Sequence, residues 1–256
     1  MGYLHQGRLQ SLLVLVLLSA ACAAHPTSQK LAIAAAADLN FALPEIAREF
    51  HAVDPAVELE TAYGSSGNFL AQIENRAPFD VFLSADVEYP RRLVTANTGP
   101  ASSVFTYAVG RLLVWVPSGS PLDPATALGD PRVKHVAIAN PQHAPYGRAA
   151  QAALRTLGLY QSVEPKLVLG ENIAQTLQFV ESGAADAGIV AMSLALAPPL
   201  RARGRFWEIP LATYPRIEQG GMILRNSKAA REFREFLLST DGRRILKQYG
   251  FFVPGD

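Results

Sequence analysis

The sequence predicts an α/β fold with largely parallel sheets. Short apolar runs alternate with segments whose apolar positions recur every three or four residues, from residue 31 almost to the end of the chain. Apolar residues make up 49% of the composition, and no internal repeat interrupts the pattern. Alternation of this kind is typical of strands that are joined by helical crossovers.

Most of the predicted strands are short runs rich in apolar residues. In chain order the strands are predicted at 31–36, 57–63, 80–84, 107–116, 135–139, 166–169, 186–190 and 220–224. Each predicted helix carries one apolar face at helical spacing. The helices are predicted at 39–51, 68–75, 88–96, 147–157, 173–182 and 228–238.

The run 105–116 is too long for a normal strand of about five or six residues. It therefore predicts a strand that leaves one sheet and enters another, with Gly110 at the crossing. A matching return is expected around 214–223, which divides the chain into lobe 1 (30–108 plus 220–256) and lobe 2 (109–219). One long strand within a single sheet is the alternative.

Residues 1–24 are predicted to be a secretory signal peptide. Arg8 is followed by an apolar run from Ser11 to Leu18 and then by small residues up to Ala24. The apolar run is shorter than the roughly 20 residues that span a bilayer. The mature protein is therefore expected in the periplasm.

The only cysteine, Cys22, lies at the predicted cleavage region. Either the signal is cut after Ala23 or Ala24, which is the favoured reading, or Cys22 becomes a lipidated N-terminus. In both cases the folded domain has no cysteine, which excludes disulfides, thiolate catalysis and cysteine metal sites. Removal of the signal leaves 22 basic and 22 acidic side chains, a balance that argues against nucleic acid or membrane-surface partners.

Two loop-to-helix junctions are predicted to bind an anion together. They are Tyr63-Gly-Ser-Ser-Gly-Asn68 and His143-Ala-Pro-Tyr-Gly147. The first N–H groups of a helix have no intrahelical partner, and small residues let a ligand approach them. Each junction alone is ordinary capping chemistry, but both follow a predicted strand, where open α/β sheets bind ligands.

Several spaced motifs give the chain a family resemblance. They are AAAADL at 34–39, GSSG at 64–67, AQIE at 71–74, APFDVFLSAD at 77–86, ANP at 139–141, APYG at 144–147, GIV at 188–190 and LKQYGF at 246–251. In this order, over the whole mature chain, they resemble the molybdate-binding proteins of ABC importers.

The resemblance implies a two-lobed type II periplasmic-binding-protein fold with two hinge crossings. In that fold neutral donors hold a tetrahedral oxyanion between the lobes. Matching the motifs one at a time puts four residues at the anion: Asp38, Ser66 through its hydroxyl and N–H, Tyr146 through its N–H and Ile173 through its N–H. Five further residues would support them: Ala37, Ser65, Gly67, Pro145 and Asn172.

Two positions depart from the family pattern. Ala191 stands where some members have a tyrosine whose hydroxyl binds the anion, and members without that tyrosine rely on the one in the Pro-Tyr-Gly turn, which is Tyr146 here. Asp38 stands where members usually have Ser or Asn, and a carboxylate repels a dianion. The favoured explanation is that Asp38 caps the next helix by accepting from the N–H of Asn40 or Phe41. The alternative is that its carboxylate faces the pocket and selects a protonated anion such as hydrogen phosphate.

The resemblance therefore implies a receptor that captures molybdate or tungstate and delivers it to a permease driven by an ATPase. We expect a monomer that is not an enzyme and needs no cofactor. Other open readings are a receptor for sulfate or phosphate, a ferric-ion binder using Tyr63 and Tyr146, and an enzyme. His143 could approach the site, although capping or surface exposure is the favoured reading, and Asp80 and Asp86 are expected only to flank a strand.

Overall fold

The computed structural model describes residues 29–255. The predicted signal peptide and Cys22 lie outside this range. The chain forms ten strands within it: β1 Gln29–Ala36, β2 Val57–Gly64, β3 Val81–Ser84, β4 Val104–Gly110, β5 Leu112–Pro117, β6 Val136–Ala139, β7 Leu167–Gly170, β8 Ala187–Ala191, β9 Gly204–Glu208 and β10 Ile217–Ile223.

Nine α-helices accompany the strands of the described chain: α1 Ala42–Val53, α2 Ser66–Glu74, α3 Glu88–Thr95, α4 Pro145–Thr156, α5 Tyr160–Val163, α6 Ile173–Glu181, α7 Met192–Ala195, α8 Lys228–Leu238 and α9 Thr240–Gln248. Every helix predicted from the sequence is present. The prediction missed α9, which is mostly polar, and the short helices α5 and α7.

The strands form two five-stranded sheets, one in each lobe. The first sheet has the order β2-β1-β3-β10-β4 and the second has the order β7-β6-β8-β5-β9. The prediction of largely parallel sheets is wrong in part. β1 and β6 pair with parallel neighbours, but β10 and β5 run antiparallel to both of their neighbours. These strands are antiparallel because they adjoin the two crossings between lobes.

The predicted crossing in the long apolar run is confirmed. β4 ends at Gly110 in the first sheet, and β5 begins at Leu112 in the second, so one long strand in a single sheet is excluded. The chain returns between β9 and β10, within residues 209–216. The two crossings touch, since the Leu112 N–H donates to the Tyr214 hydroxyl at 3.1 Å. The residue bounds given above for the lobes stay a prediction.

Apolar packing explains why the end of the chain returns to the first lobe. Phe50 of α1 contacts Phe233 and Phe236 of α8, each with ring centroids 5.6 Å apart.

Strand β9, which the prediction missed, is an edge strand that lies against β5 and has a half-exposed surface. Its sequence lacks the continuous apolar run by which buried strands were recognised.

Candidate functional site

A small cavity of about 10 Å³ lies where the carboxyl ends of strands from both lobes meet. Its walls are Ala36, Ala37, Asp38, Gly64, Ser65, Ser66, Ala85, Ala144, Pro145, Tyr146, Asn172 and Ile173. The four predicted binding residues are therefore brought together, as are four of the five supporting ones. Gly67 is not among the lining residues.

Helix α2 presents one N–H to this cavity. Ser65 caps the helix by accepting from the Asn68 N–H at 3.4 Å, and the Gly67 N–H donates to the His143 carbonyl at 2.8 Å. Only the Ser66 N–H of this first turn is left. The Ser66 hydroxyl oxygen accepts from the Ala85 N–H at 2.9 Å, so its own proton is available to a ligand.

In helix α4 a proline at the first position also leaves a single N–H group of the helix start unpaired. The Ala144 carbonyl accepts from the N–H groups of Gly147 and Arg148 at 3.0 and 3.2 Å, and Pro145 has no N–H. The Tyr146 N–H is therefore the remaining donor. Gly147 permits this placement, because a Cβ at that position would lie 2.1 Å from the Ala139 carbonyl oxygen.

Helix α6 also leaves one donor. The Asn172 side chain accepts from the N–H groups of Ala174 and Gln175, both at 3.0 Å. The Ile173 N–H, at the first helical position, stays available. Within residues 29–255, no acceptor pairs with the N–H groups of Ser66, Tyr146 or Ile173. We call these three helix starts the helix-start wall.

The opposite side of the cavity contains a buried carboxyl group. Asp38 is only 1% exposed, and its Oδ2 accepts from the Tyr146 hydroxyl at 2.8 Å and from Gln219 Nε2. Gln219 Nε2 also donates to the Tyr146 hydroxyl oxygen at 3.0 Å. We call Asp38, Tyr146 and Gln219 the Asp38 corner. Burial raises the pKa of Asp38 to about 6, although the bonds from Gln219 and Tyr146 oppose that shift.

The predicted capping role of Asp38 is wrong. The turn that contains Asp38 and helix α1 both lack a side-chain cap, and the Asn40 N–H donates to the Ala37 carbonyl instead. The carboxyl is turned toward Tyr146 and Gln219 because the closed lobes and β10 bring these donors to it. A local sequence argument does not include either partner.

The Tyr146 hydroxyl is bonded to the Asp38 carboxyl. This hydroxyl gives its only proton to Asp38, so it does not replace the tyrosine hydroxyl that is absent at Ala191. The N–H of Tyr146 remains as the donor of this residue. Burial and the neighbouring Asp38 charge raise the pKa of the Tyr146 hydroxyl well above its usual value.

Sequence reasoning overlooked Gln219 and undervalued His143. Gln219 is completely buried on β10, and a polar residue within an apolar strand was the available signal. His143 was expected to cap or to face solvent. Its ring instead bridges the lobes, with Nδ1 3.0 Å from Ser65 Oγ and Nε2 3.5 Å from a Glu171 carboxylate oxygen. Asp80 and Asp86 flank β3 as expected.

The family model for bacterial extracellular solute-binding proteins matches residues 31–252. The chain belongs to this family. It is 38% identical to the molybdate-binding protein ModA of Azotobacter vinelandii over 237 residues, which cover 90% of this chain and 92% of that protein. It is also 38% identical to ModA of Rhodobacter capsulatus, with 74% of this chain and 75% of that protein covered.

Solved structures agree with this assignment. The Azotobacter vinelandii periplasmic molybdate-binding protein superposes with a TM-score of 0.82 at 30% identity, covering 88% of this chain and 99% of that one. The sulfate-binding protein SubI of Mycobacterium tuberculosis superposes with a TM-score of 0.70 at 16% identity, covering 89% of this chain and 88% of that one, and shows only the shared fold. The fold is therefore the two-lobed α/β architecture of type II periplasmic binding proteins.

Proposed function

We propose that this protein captures molybdate or tungstate between its lobes and delivers it to the permease and ATPase of an ABC importer. The observation that carries the proposal is the helix-start wall. Three unpaired N–H groups and the Ser66 hydroxyl converge on one cavity, and no Lys, Arg or His among the described residues lines it. The names of the 38% identical relatives supply the identity of the anion.

Neutral donors are strong enough for this task. A helix terminus contributes about 0.3–2 kcal/mol toward a nearby charge, whereas micromolar binding needs about 8 kcal/mol. Hydrogen bonds to a charged group are worth about 1.5–3 kcal/mol each. The four donors named above therefore supply about 6–12 kcal/mol before the cost of desolvation, a range that includes the required value.

Donors also favour an anion that carries no proton. An anion O–H that faces only donors stays unpaired, at a cost of about 1–3 kcal/mol. Molybdate, tungstate and sulfate are fully ionised at neutral pH and avoid this cost. The choice of molybdate over sulfate rests on the similarity to the molybdate-binding relatives.

Closure of the lobes is the proposed capture mechanism. Ser66 belongs to the first lobe, and Tyr146 and Ile173 belong to the second, so a bound anion makes contacts that an open form lacks. Other contacts also join the lobes. Arg148 of α4 donates to the Asp86 carboxylate at 2.6 Å and to the Tyr89 hydroxyl at 2.7 Å.

The proposal includes the cellular setting. We infer a periplasmic monomer that has no catalytic activity and uses no cofactor, and that is released by signal cleavage in preference to lipidation at Cys22. Within the described chain, no helix combines the length and apolarity needed to cross a bilayer.

One observation favours a second candidate, a protonated anion such as hydrogen phosphate. Asp38 Oδ1 is buried and has no partner within the described residues, and Asp38 lines the cavity, so an anion O–H could donate to it. A ferric-ion site has no such support. Tyr63 does not line the cavity, and the Tyr146 hydroxyl is bonded to Asp38.

Thermal shift and calorimetry with molybdate, tungstate, sulfate, phosphate and ferric citrate test the proposal. We expect molybdate and tungstate to raise the melting temperature most and to bind with one-to-one stoichiometry. Tight binding of phosphate alone would support the second candidate. Binding of ferric ion alone, or of none of these ligands, would overturn the proposed function.

A further inference from the structure

An ionised carboxyl group is electrostatically unfavourable in a cavity that binds a dianion. Asp38 lines the cavity and is 1% exposed, and no cationic side chain contacts it among the residues described. If Asp38 stayed ionised, its charge would oppose the bound anion at short range in a site of low dielectric. The geometry of the Asp38 corner resolves this conflict.

The two oxygens of the Asp38 carboxyl have different surroundings. Oδ2 accepts from two donors, the Tyr146 hydroxyl and Gln219 Nε2. Oδ1 is buried without a hydrogen-bond partner among residues 29–255. An oxygen that already accepts two bonds is the carbonyl-like one, so the place for a proton on this carboxyl is Oδ1.

We propose that Asp38 donates a hydrogen bond to the bound oxyanion through a proton on Oδ1, so that capture of one dianion takes up one proton from solvent. This inference rests on the proposed function and adds a residue role to it. The proton leaves the buffer and forms an O–H bond on Asp38, while molybdate stays fully ionised. The closed site then gains one negative charge instead of two, and the carboxyl becomes a third kind of neutral donor beside the N–H groups and the Ser66 hydroxyl.

The groups around Asp38 fit this role. Tyr146 on α4 and Tyr107 on β4 are the titratable groups that face it, and Tyr214 stands close to Tyr146. Burial raises the pKa of both Tyr107 and Tyr146 well above the usual range, so neither is a competing proton acceptor near neutral pH. Burial raises the pKa of Asp38 to about 6 against the opposing hydrogen bonds from Gln219, Tyr146 and the N–H of Asp38 itself, and a bound dianion raises it further.

The test is isothermal titration calorimetry with molybdate at pH 7.5, in three buffers with different ionisation enthalpies. The dependence of the observed enthalpy on the buffer gives the number of protons exchanged. We expect uptake of close to one proton per molybdate bound. We also expect the affinity to fall by about tenfold per pH unit above pH 6, until the pKa of the complex is reached.

Asp38→Asn is the decisive variant because it keeps the shape of the side chain. Its amide oxygen can accept from Tyr146 and Gln219, and its amide NH₂ can donate to the anion permanently. We expect this variant to bind molybdate without proton uptake and with an affinity that is constant between pH 6.5 and 8. His143→Asn is the matched control, because His143 is the other titratable group near Ser65. The His143→Asn variant should still take up one proton per molybdate bound.

Three results would overturn the inference. The first is molybdate binding by the wild type without proton uptake at pH 7.5, which would leave the proposed function intact. The second is proton uptake that persists in Asp38→Asn. The third is tighter binding of phosphate than of molybdate, reversed by Asp38→Asn, which would make Asp38 an acceptor. Failure of the wild type to bind any oxyanion is a different result and would refute the proposed function itself.

Discussion

The helix-start wall and the Asp38 corner line the same cavity, but they are built in different ways. In the helix-start wall, capping groups close to each helix start satisfy the neighbouring N–H groups and leave one donor free, as Ser65 and Asn172 do. In the Asp38 corner, three side chains from different parts of the chain form hydrogen bonds with one another. Gln219 lies 181 residues from Asp38 in sequence, and Tyr146 lies 108 residues away.

The difference teaches which part of the site is robust. Backbone donors keep their position when a side chain changes, and they do not titrate. The Asp38 corner depends on three particular side chains and on both crossings, because β4 and β10 pass beside it. We therefore expect changes to the Asp38 corner to alter stability and pH dependence, and changes to the helix-start wall to alter affinity.

The largest effect is expected from Asp38→Asn on stability without ligand. Because the native pKa of Asp38 is about 6 and the unperturbed value is 3.8, the native state binds more protons between these values. Stability from this group is therefore present below pH 4 and is lost as the pH rises to about 6. Removal of the ionisable group should make the variant more stable than wild type at pH 7, by up to about 3 kcal/mol.

Chemical denaturation of both proteins at pH 4 and pH 7 measures this effect. The advantage of Asp38→Asn should be small at pH 4 and larger at pH 7, since other carboxyl groups cancel in the difference. An advantage that does not change with pH would show that Asp38 titrates normally in the folded protein.

Gly110→Ala, at the crossing between the two sheets, should displace the side chains of the Asp38 corner. The added Cβ would lie 2.1 Å from the Tyr146 hydroxyl oxygen and 3.0 Å from Gln219 Nε2, so the phenol must move. Overpacking of this kind costs about 1–3 kcal/mol in free energy of unfolding. Gly119→Ala is the control, because a Cβ there meets nothing within 4 Å. Equal melting temperatures for the two variants would contradict the close packing at Gly110.

Ser66→Ala tests the helix-start wall. It removes the hydroxyl donor and leaves the Ala85 N–H without its acceptor, while the backbone N–H of residue 66 stays in place. We expect molybdate affinity to fall by roughly tenfold or more, equivalent to about 1.5 kcal/mol, by calorimetry. Ser65→Ala removes the neighbouring capping hydroxyl and should cost less affinity. The reverse order would show that Ser65, and not Ser66, supplies the hydroxyl donor.

The smallest effect is expected outside both the helix-start wall and the Asp38 corner. Arg148→Gln removes the ion pair with Asp86 that joins the lobes, and half-exposed pairs contribute about 0.2–1 kcal/mol. Affinity should fall by a few-fold, and high salt should reduce the difference. Arg92→Gln breaks a comparable pair with Glu74 inside one lobe and should leave affinity unchanged. Equal losses would show that the Arg148 pair does not act through closure.

Local signals predicted much of this molecule from the sequence. The alternation of strands and helices, the crossing at Gly110 and the two loop-to-helix junctions at 63–68 and 143–147 depend on residues within a few positions of one another. Pro145 and Asn172, for example, decide locally which N–H of a helix remains unpaired. Strand β9 and helix α9 escaped prediction because their apolar faces are short and become apparent only against β5 and α1.

The sequence by itself therefore determined the α/β class and the crossing between two sheets, because apolar periodicity acts over short distances along the chain, and its family resemblance implied the backbone donors of Ser66, Tyr146 and Ile173. Only the tertiary structure decided the state of Asp38. Its partners Gln219 and Tyr146 come from a crossing strand and from the opposite lobe, and its pKa is raised by burial, which exists only after both lobes have packed.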